Sequence, residues 1–288
     1  MWETTTPRGD LLTSKGSDYC FWLKTAFVLG LIVLLYLRVL LDLSLDWWND
    51  PALSQGVLIP PLALYIAWLR RSNTLSLPPV TDCRGLFAVT LSSILFTIGK
   101  LGAEFFLMRI SFILLIAGMI WTYWGLARLR TLAFPLCLLI TTVPLPKVVY
   151  NSISTPLQLF ASHASADIAR TLGATVYLDG NIINLARITL GVEEACSGLN
   201  SLSSLIVASP LLAFLLCTRL RSRLILIPSA IPLAISVNIV RIAGTALLAD
   251  YRPELATGFY HFFSGWLVFI LGLSGLYIFA RLLHVWLD

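Results

Sequence analysis

Residues 262–280 read FFSGWLVFILGLSGLYIFA, nineteen consecutive residues without a charged side chain. An apolar helix of about 20 residues is long enough to cross the hydrocarbon core of a bilayer. The remainder of the chain has the same character, because 58% of its 288 residues are hydrophobic and only 12% are charged. The core of a soluble domain of this length could not enclose so much apolar surface. The sequence therefore predicts an all-α polytopic membrane protein.

Further apolar runs bring the predicted number of transmembrane helices to about eight. The first run is longer than the apolar region of a signal peptide and lacks a small-residue cleavage site, so we expect it to remain as a membrane anchor. The fifth run is short and contains proline. No internal repeat is visible, and we expect a single membrane domain over residues 1–288. The predicted spans are 21–41, 52–69, 86–103, 110–127, 131–146, 196–217, 224–249 and 260–283.

Basic residues are concentrated in alternate loops, and this alternation predicts how the spans are oriented. With eight spans, both termini lie on the basic side of the membrane. Because cytoplasmic loops carry an excess of lysine and arginine, we expect this side to be the cytoplasm and the membrane to be the inner, cytoplasmic one. The net charge of +5 then reflects topology and does not indicate a nucleic-acid partner. The residues on the basic side are Arg8, Lys15, Lys24, Arg70, Arg71, Arg84, Arg128, Arg130, Arg219, Arg221, Arg223 and Arg281.

The opposite side holds the only long segment outside the membrane, residues 147–195. Its first part, around 152–172, has apolar residues at helical spacing, which predicts a helix lying at the membrane interface. Its second part has β-branched runs around Asp179 and Gly180, a strong hairpin signal. We therefore expect a small extracytoplasmic β-ribbon directly before the sixth span. Other polar or aromatic residues on this side are Asp42, Asp46, Trp47, Trp48, Asp50, Lys100, Glu104, Arg109, Asp250, Arg252 and Glu254.

One of the five cysteines stands apart from the others. Only Cys196 is predicted at the outer face, where an oxidising compartment favours disulfides and no second cysteine is at hand. A lone membrane cysteine is most often an inert, buried apolar residue. The surroundings point elsewhere, because residues 191–202 read GVEEACSGLNSL, where the β-ribbon meets the start of a helix.

A helix start offers N–H groups and the positive end of the helix dipole to its neighbours. Both stabilise a thiolate and both bind an oxyanion, which favours a reactive Cys196, and Ser197 adds a hydroxyl beside it. Two acids precede the thiol. Glu194 fits helix capping and a role in a site equally well, whereas Glu193 fits capping better.

An arginine inside the seventh predicted span marks a second candidate position. Arg241 lies about two turns before the outer end of that span, and an arginine within a membrane helix costs at least about 2.5 kcal/mol. Asn238 lies one turn earlier on the same helix face, which indicates a polar stripe toward the protein interior. The alternative is that Arg241 extends to the outer lipid headgroups.

The eighth span opens with GFYHFFSGW at residues 258–266 and has His261 at its outer end. A single histidine there is often interfacial, and His163 in the outer segment is a second candidate for the same role.

Consecutive spans are expected to be neighbours, so alternating direction brings Cys196, Arg241 and His261 to one leaflet. These are the parts of thiol acyl transfer: the imidazole moves a proton and the cation stabilises the thiolate or oxyanion. No metal-ligand cluster or nucleotide motif competes, and we expect neither metal nor cofactor.

Several stretches occur in a characteristic order. The most specific is EACSGLNSL at 194–202, followed by NIVRI at 238–242 and by His261 ahead of a glycine-containing last helix. Together they resemble the exosortase/archaeosortase family of membrane cysteine transpeptidases. Weaker similarity extends over about 46–280, through SQGVLIPPLALYIAWLRR at 54–71, AFPLCLLITTVPLP at 133–146 and ISTPLQLFAS at 153–162.

The resemblance implies a catalytic triad of Cys196, Arg241 and His261, to which we add Glu194, Ser197 and Asn238 as supporting or substrate-binding residues. It implies substrates that are exported, membrane-anchored proteins with a C-terminal sorting signal. Such a signal has a short motif such as Pro-Glu-Pro, a membrane helix and a basic cluster. Cleavage near the motif would form an acyl-enzyme, which is then transferred to a lipid or amine acceptor or released by water.

One position departs from the family pattern, because the second-span motif often reads Ser-His-Gly whereas this chain has Ser54-Gln55-Gly56. Two other function classes stay open on the residues alone. An intramembrane protease that only hydrolyses shares the acyl-enzyme. A non-catalytic transporter or polysaccharide-assembly membrane subunit shares the hydropathy and Arg241, but it predicts a polar stripe through several spans.

Overall fold

The computed structural model describes residues 10–50, 53–191, 199–256 and 259–287. These ranges fold into α-helices joined by short connections, with one small antiparallel sheet. Two 3-10 helices, Ser54–Val57 and Pro253–Ala256, precede α2 and α9. The elements are α1 Asp10–Asn49, α2 Ile59–Leu69, α3 Arg71–Leu75, α4 Gly85–Leu101, α5 Phe105–Ile140, α6 Lys147–Thr171, β1 Val176–Asp179, β2 Ile182–Leu185, β3 Thr189–Gly191, α7 Leu199–Leu216, α8 Leu220–Tyr251 and α9 Phe259–Leu287.

The helices expose apolar surface of the kind that lipid covers. Leu34, Leu64 and Phe87, on three different helices, are each more than 70% exposed, and contiguous apolar surface on this scale is not tolerated in water. Three described helices are long and apolar enough to cross a bilayer, and shorter apolar helices accompany them. The prediction of a polytopic helical membrane protein is confirmed, while the count of eight spans stays a prediction.

A single glycine divides α5 into two helical segments. Gly125 has φ +85° and ψ 165° in the middle of an otherwise continuous run, a conformation that is essentially restricted to glycine. The break falls near the end of the fourth predicted span, so α5 holds the predicted spans four and five. The fifth ends at Ile140 and not at residue 146 as predicted, because Pro144 and Pro146 cannot continue a helix.

Polar contacts at one end of the helices join residues from loops that were predicted to share a side. Arg109 on α5 forms a 2.6 Å ion pair with Asp46 on α1. The indole N–H of Trp47 donates to the carbonyl oxygen of Thr142 at 3.0 Å. Trp47 also packs directly on Gly56, where a side chain would collide with the indole ring. The glycine of the Ser-Gln-Gly stretch is therefore required by packing.

A second set of contacts lies at the basic end. Arg70, at the end of α2, donates to the carbonyl oxygen of Thr131 at 2.8 Å. Arg128 on α5 donates from two nitrogens to the carbonyl oxygen of Leu77. Arg70 thus binds a carbonyl oxygen within α5, and Arg128 binds one in the connection that follows α3.

The last three helices, α7, α8 and α9, pack on one another as the order of the spans predicted. Leu205 of α7 contacts Gly272 of α9, and the core of the group is closed by fully buried Leu226, Ala230 and Leu276. Small residues at these contacts let the helix backbones approach closely, as is typical of helices in membranes.

The segment before α7 contains the predicted helix and hairpin. Strands β1 and β2 pair antiparallel with Asp179 opposite Ile182, and Gly180 in the turn has φ +59°. The ribbon gains a third strand, β3, which pairs with β2. The hairpin prediction is confirmed, with one strand more than a simple hairpin.

Helix α6 packs along α8, a contact that the sequence did not predict, and its position at a membrane interface stays a prediction. Its buried face consists of small residues, among them Ser162, Ser165 and Ala166, while Ile153 and Phe160 are exposed. Of the apolar residues at helical spacing, Ile153 and Phe160 lie on the outward face of α6, whereas Leu157 packs against the core of the last three helices. The helix itself was predicted correctly, and its contact with α8 was not.

Candidate active site

Helices α8 and α9 run antiparallel, and their contact positions Arg241. Gly275 faces Leu233 and Gly265 faces Arg241, so the residue numbers rise on one helix as they fall on the other. The Nε of Arg241 donates to the Oγ of Ser264 at 3.3 Å. A Cβ atom at Gly265 would lie 3.4 Å from Nη2 of Arg241. The guanidinium therefore rests on the Ser264-Gly265 step of α9, where a missing side chain leaves room for it.

The length of α8 defines how deep Arg241 lies. Arg223 stands at the basic end and donates from Nε and Nη2 to the carbonyl oxygen of Cys217. The 18 residues from Arg223 to Arg241 span about 27 Å at 1.5 Å per residue. This is close to the roughly 30 Å thickness of the hydrocarbon core. Arg223 and Arg241 are therefore separated along α8 by about the thickness of the hydrocarbon core.

Helix α8 continues past Arg241 to Tyr251, almost three turns where two were predicted. These turns are covered by α6 and the sheet. Ile242 packs with Ala161 and Ile183, and Ala246 packs with Ala169 and Ala174. The far end of α8 is thus embedded in the segment before α7, and Arg241 lies where this segment meets the membrane-spanning part.

Asn238 is buried on the same face of α8, one turn before Arg241. Only 1% of its surface is exposed. Next to it, Ser165 of α6 donates to the carbonyl oxygen of Ile239 at 3.1 Å, and Thr245 donates to that of Arg241 at 2.8 Å. The interior polar stripe that the sequence predicted at Asn238 and Arg241 is present, and it is bounded by small hydroxyl side chains.

His261 is the third residue of α9. Positions 261, 264 and 265 share one face of the helix, because residues three and four apart lie above one another. Ser264 and Gly265 contact Arg241, so position 261 lies one turn beyond the guanidinium toward the start of α9. The rival His163 lies on α6 and is exposed, away from the buried face that packs on α8.

The start of α7 reaches the same level. Leu205 contacts Gly272, and Leu199 begins α7 six residues earlier, about 9 Å along the helix. Helix α9 runs in the same direction as α7. Moving back by the same six residues from Gly272 along α9 leads to the position next to Gly265. Cys196, Glu194 and Ser197 precede α7 and lie outside the described residues.

Ser264 and Gly265 were not singled out in the sequence, although a signal for them was present. They follow His261 by three and four residues, the spacing that marks one helix face. A serine and a glycine on the face below a candidate catalytic histidine are small enough to admit a long side chain from a neighbouring helix. The partner helix could not be read from this spacing.

These features define a multi-pass helical membrane protein that carries a partly buried cation near one end of its last three helices. The chain belongs to the transmembrane exosortase family, whose family model matches residues 47–278. Membership of this family indicates a membrane-embedded sorting transpeptidase of the cysteine peptidase class, acting on exported proteins at the membrane. No curated protein and no solved structure matches the chain.

Proposed function

We propose that this protein cleaves C-terminal sorting signals of the Pro-Glu-Pro type from exported, membrane-anchored proteins, at the outer face of the cytoplasmic membrane. The observation that carries the proposal is the position of Arg241. Its guanidinium rests against Ser264 and Gly265, one turn from position 261 and level with the start of α7. Both termini are then cytoplasmic, in accord with the basic loops.

Cys196 acts as the nucleophile in this proposal. Its thiolate attacks the scissile carbonyl carbon, and the oxygen becomes an oxyanion that Arg241 stabilises. His261 gives a proton to the leaving amine, the carbon–nitrogen bond breaks, and a thioester to Cys196 is formed. The thioester is then attacked by water, an amine or a lipid group, whose proton returns to His261, and the thiolate is restored.

Chain geometry supports bringing the thiol to this point. Cys196 precedes Leu199 by three residues, and an extended chain of three residues spans at most about 11 Å. Leu199 begins α7 at about the level of Gly265 on α9, the glycine that contacts Arg241. The proposal therefore requires the chain before Leu199 to bring the thiol of Cys196 toward the guanidinium of Arg241.

The choice of arginine also supports a role beyond packing. Its guanidinium keeps its charge at all physiological pH values and presents planar N–H donors, which suits an oxyanion or thiolate. Asn238, one turn below, is buried and polar, so α8 presents two polar groups toward the proposed site. Glu194 and Ser197 complete the proposed set as supporting residues, with no metal and no cofactor.

The direct test is replacement of the thiol. Cells would express the protein together with a tagged exported substrate that ends in a Pro-Glu-Pro motif, a membrane helix and a basic cluster. We expect Cys196→Ala and Cys196→Ser to slow processing by more than about 10³-fold. Cys83→Ser, which changes an exposed thiol in the connection between α3 and α4, is the matched control and should process normally. Wild-type processing by both Cys196 variants would refute the proposal.

The fate of the acyl-enzyme needs a separate measurement. Mass spectrometry of the processed substrate distinguishes a free new carboxyl end, which indicates hydrolysis, from an added amine or lipid, which indicates transfer. The predicted side of the membrane is tested by thiol labelling with an impermeant reagent on intact cells. Labelling of Cys196 only after the cytoplasm is opened would overturn the extracytoplasmic placement.

A further inference from the structure

A cavity of about 360 Å³ opens between α2, α5, α7 and α8 at the basic end of the helices. It is separate from the proposed active site, which lies at the opposite end of α8. Three arginines line it, Arg70, Arg130 and Arg223, and none of its lining residues is acidic. Three cations converging on one cavity without a carboxylate repel one another, so their arrangement favours an anion.

The arginines lie at one end of the cavity. Arg70 donates to the carbonyl oxygen of Thr131, which places it level with Arg130 on α5. Arg223 lies near the start of α8. Burial lowers the pKa of the Arg70 guanidinium, and the nearby positive charge of Arg223 lowers it further. The far end of the cavity reaches Thr141, about 16 Å further along α5.

The walls beyond the arginines are apolar. The apolar lining consists of Phe134 and Leu138 of α5, Ala213 and Phe214 of α7, and Ile227 of α8. The rings of Phe134 and Phe214 stack at 4.4 Å. The cavity is therefore amphipathic along its length, with cations at the membrane boundary and hydrocarbon walls toward the bilayer interior.

The arginines are held in place by contacts that leave donors for a ligand. The described contacts use one nitrogen of Arg70, at Thr131, and two of Arg223, at the carbonyl oxygen of Cys217. A guanidinium has five N–H donors. The ring of Phe214 lies 4.6 Å below the Arg70 guanidinium, which fixes its plane. Oriented arginines of this kind bind phosphate groups through paired hydrogen bonds.

We infer that this cavity binds an anionic phospholipid from the leaflet on the basic side, with the phosphate among Arg70, Arg130 and Arg223 and an acyl chain along the apolar lining of the cavity. A zwitterionic lipid lacks the net charge that the three cations require. An inorganic phosphate leaves the apolar walls unfilled. Bound there, the lipid braces the α2–α5 part of the protein against the last three helices. This inference does not depend on the proposed enzymatic activity.

The test uses the full-length protein in nanodiscs and a lipid with a photoreactive group in its acyl chain. Photoreactive phosphatidylglycerol and phosphatidylcholine are compared by peptide mapping of the adducts. The measured quantity is the adduct ratio. It is the yield of adducts on the cavity wall, around Phe134 and Phe214, divided by the yield around Phe87, an exposed residue of α4. We expect a higher ratio for phosphatidylglycerol, which excess inorganic phosphate does not reduce.

Matched variants separate the cavity from general surface charge. Arg130→Gln and Arg221→Gln each remove an exposed arginine at the same end of the protein, but only Arg130 lines the cavity. Arg130→Gln should lower the adduct ratio for phosphatidylglycerol about five-fold, which is the contribution of one arginine to binding at an anionic lipid surface. Arg221→Gln should leave the adduct ratio unchanged. Ala133→Leu, which fills the cavity and keeps all arginines, should also lower it.

Several outcomes would overturn the inference. These are equal ratios for the two lipids, an unchanged ratio in Arg130→Gln, or an effect of Arg221→Gln as large as that of Arg130→Gln. Displacement of the lipid adduct by inorganic phosphate would instead assign the arginines to a small anion. Thermal unfolding of each variant checks that the protein is folded.

Discussion

The Nε of Arg241 on α8 donates to the Oγ of Ser264 on α9 across a distance of 3.3 Å. This is longer than the usual 2.9–3.0 Å of an N–H···O bond, so the bond is weak. Its main effect is to orient the guanidinium. In the proposed reaction the guanidinium, held at this position, stabilises the developing oxyanion through its positive charge. Ser264 is thus a positioning residue in the proposed reaction.

The Ser264→Ala variant tests this role. Because the 3.3 Å bond is long, its loss should cost about 1 kcal/mol, as for an ordinary hydrogen bond, and we expect the processing rate of the tagged substrate to fall about five-fold. Because the group orients Arg241 and does not bind the substrate, the loss should appear in kcat with little change in KM. Ser264→Thr, which keeps the hydroxyl, should recover part of the rate.

Ser274→Ala on the exposed side of α9 is the matched control and should process at the wild-type rate. A Ser264→Ala variant with unchanged kcat would mean that Arg241 is oriented by other contacts. A fall in thermal stability parallel to the fall in rate would indicate a structural role instead.

The ion pair between Asp46 and Arg109 predicts a stability effect. Arg109 is 5% exposed at its side chain and Asp46 is 45% exposed. Removing one partner of a fully buried pair costs about 3–5 kcal/mol, and water at the half-exposed carboxylate reduces this to about 2 kcal/mol for Asp46→Ala. Chemical unfolding in detergent measures the change in the free energy of unfolding. Asp42→Ala, one turn earlier on α1, should have little effect, and equal effects of the two variants would contradict the prediction.

Gly125 should resist substitution by any residue that has a side chain. Its φ of +85° disfavours any side chain, and a Cβ there would lie 2.7 Å from the carbonyl oxygen of Val80. We expect Gly125→Ala to lower the free energy of unfolding by about 2–3 kcal/mol. Gly30→Ala, at a helical position with open space around it, is the control and should be neutral or slightly stabilising. A neutral Gly125→Ala would mean that α5 is continuous at this point.

Asp82 should make stability depend on pH. Its carboxylate accepts hydrogen bonds from the backbone N–H of Arg84 at 2.9 Å and from the indole of Trp121 at 2.8 Å, and these lower its pKa. A carboxylate whose pKa is lower in the folded state stabilises that state above its unfolded pKa of about 3.9. The contribution is lost as the pH falls through the folded pKa.

Thermal unfolding between about pH 6 and pH 3 measures this effect, across the unfolded pKa of aspartate. The wild type should lose stability relative to Asp82→Asn as the pH falls through that range, and Trp121→Phe should retain only part of the difference. Parallel pH profiles of wild type and Asp82→Asn would contradict the prediction.

Much of the helical fold could be predicted because bilayer thickness dictates the length of apolar runs. The charge pattern also predicted which ends of the helices lie on the same side. Asp46 contacts Arg109 at one end, and Arg70 contacts Thr131 at the other. The hairpin at Gly180 was predictable from local turn chemistry. These features depend on short stretches of chain and on the solvent around them.

What escaped prediction depends on contacts between distant segments. The packing of α6 on α8 uses serine and alanine, residues without a distinctive periodic signal. The division of α5 at Gly125 depends on Val80, 45 residues earlier in the chain. In the candidate site, Arg241 and Asn238 were predictable as costly groups in an apolar helix, whereas Ser264 was found only when α8 and α9 were seen together.

The unbroken length of α8 makes the bilayer itself a variable of the proposed site. Arg241 lies about 27 Å along α8 from Arg223, and the far end of the helix packs on α6 and the sheet. A thicker membrane would draw the guanidinium into hydrocarbon, and a thinner one would hydrate it. Hydrophobic mismatch costs fractions of a kcal/mol per ångström, enough for lipid composition to tune the electrostatics around Arg241 without any change in the protein.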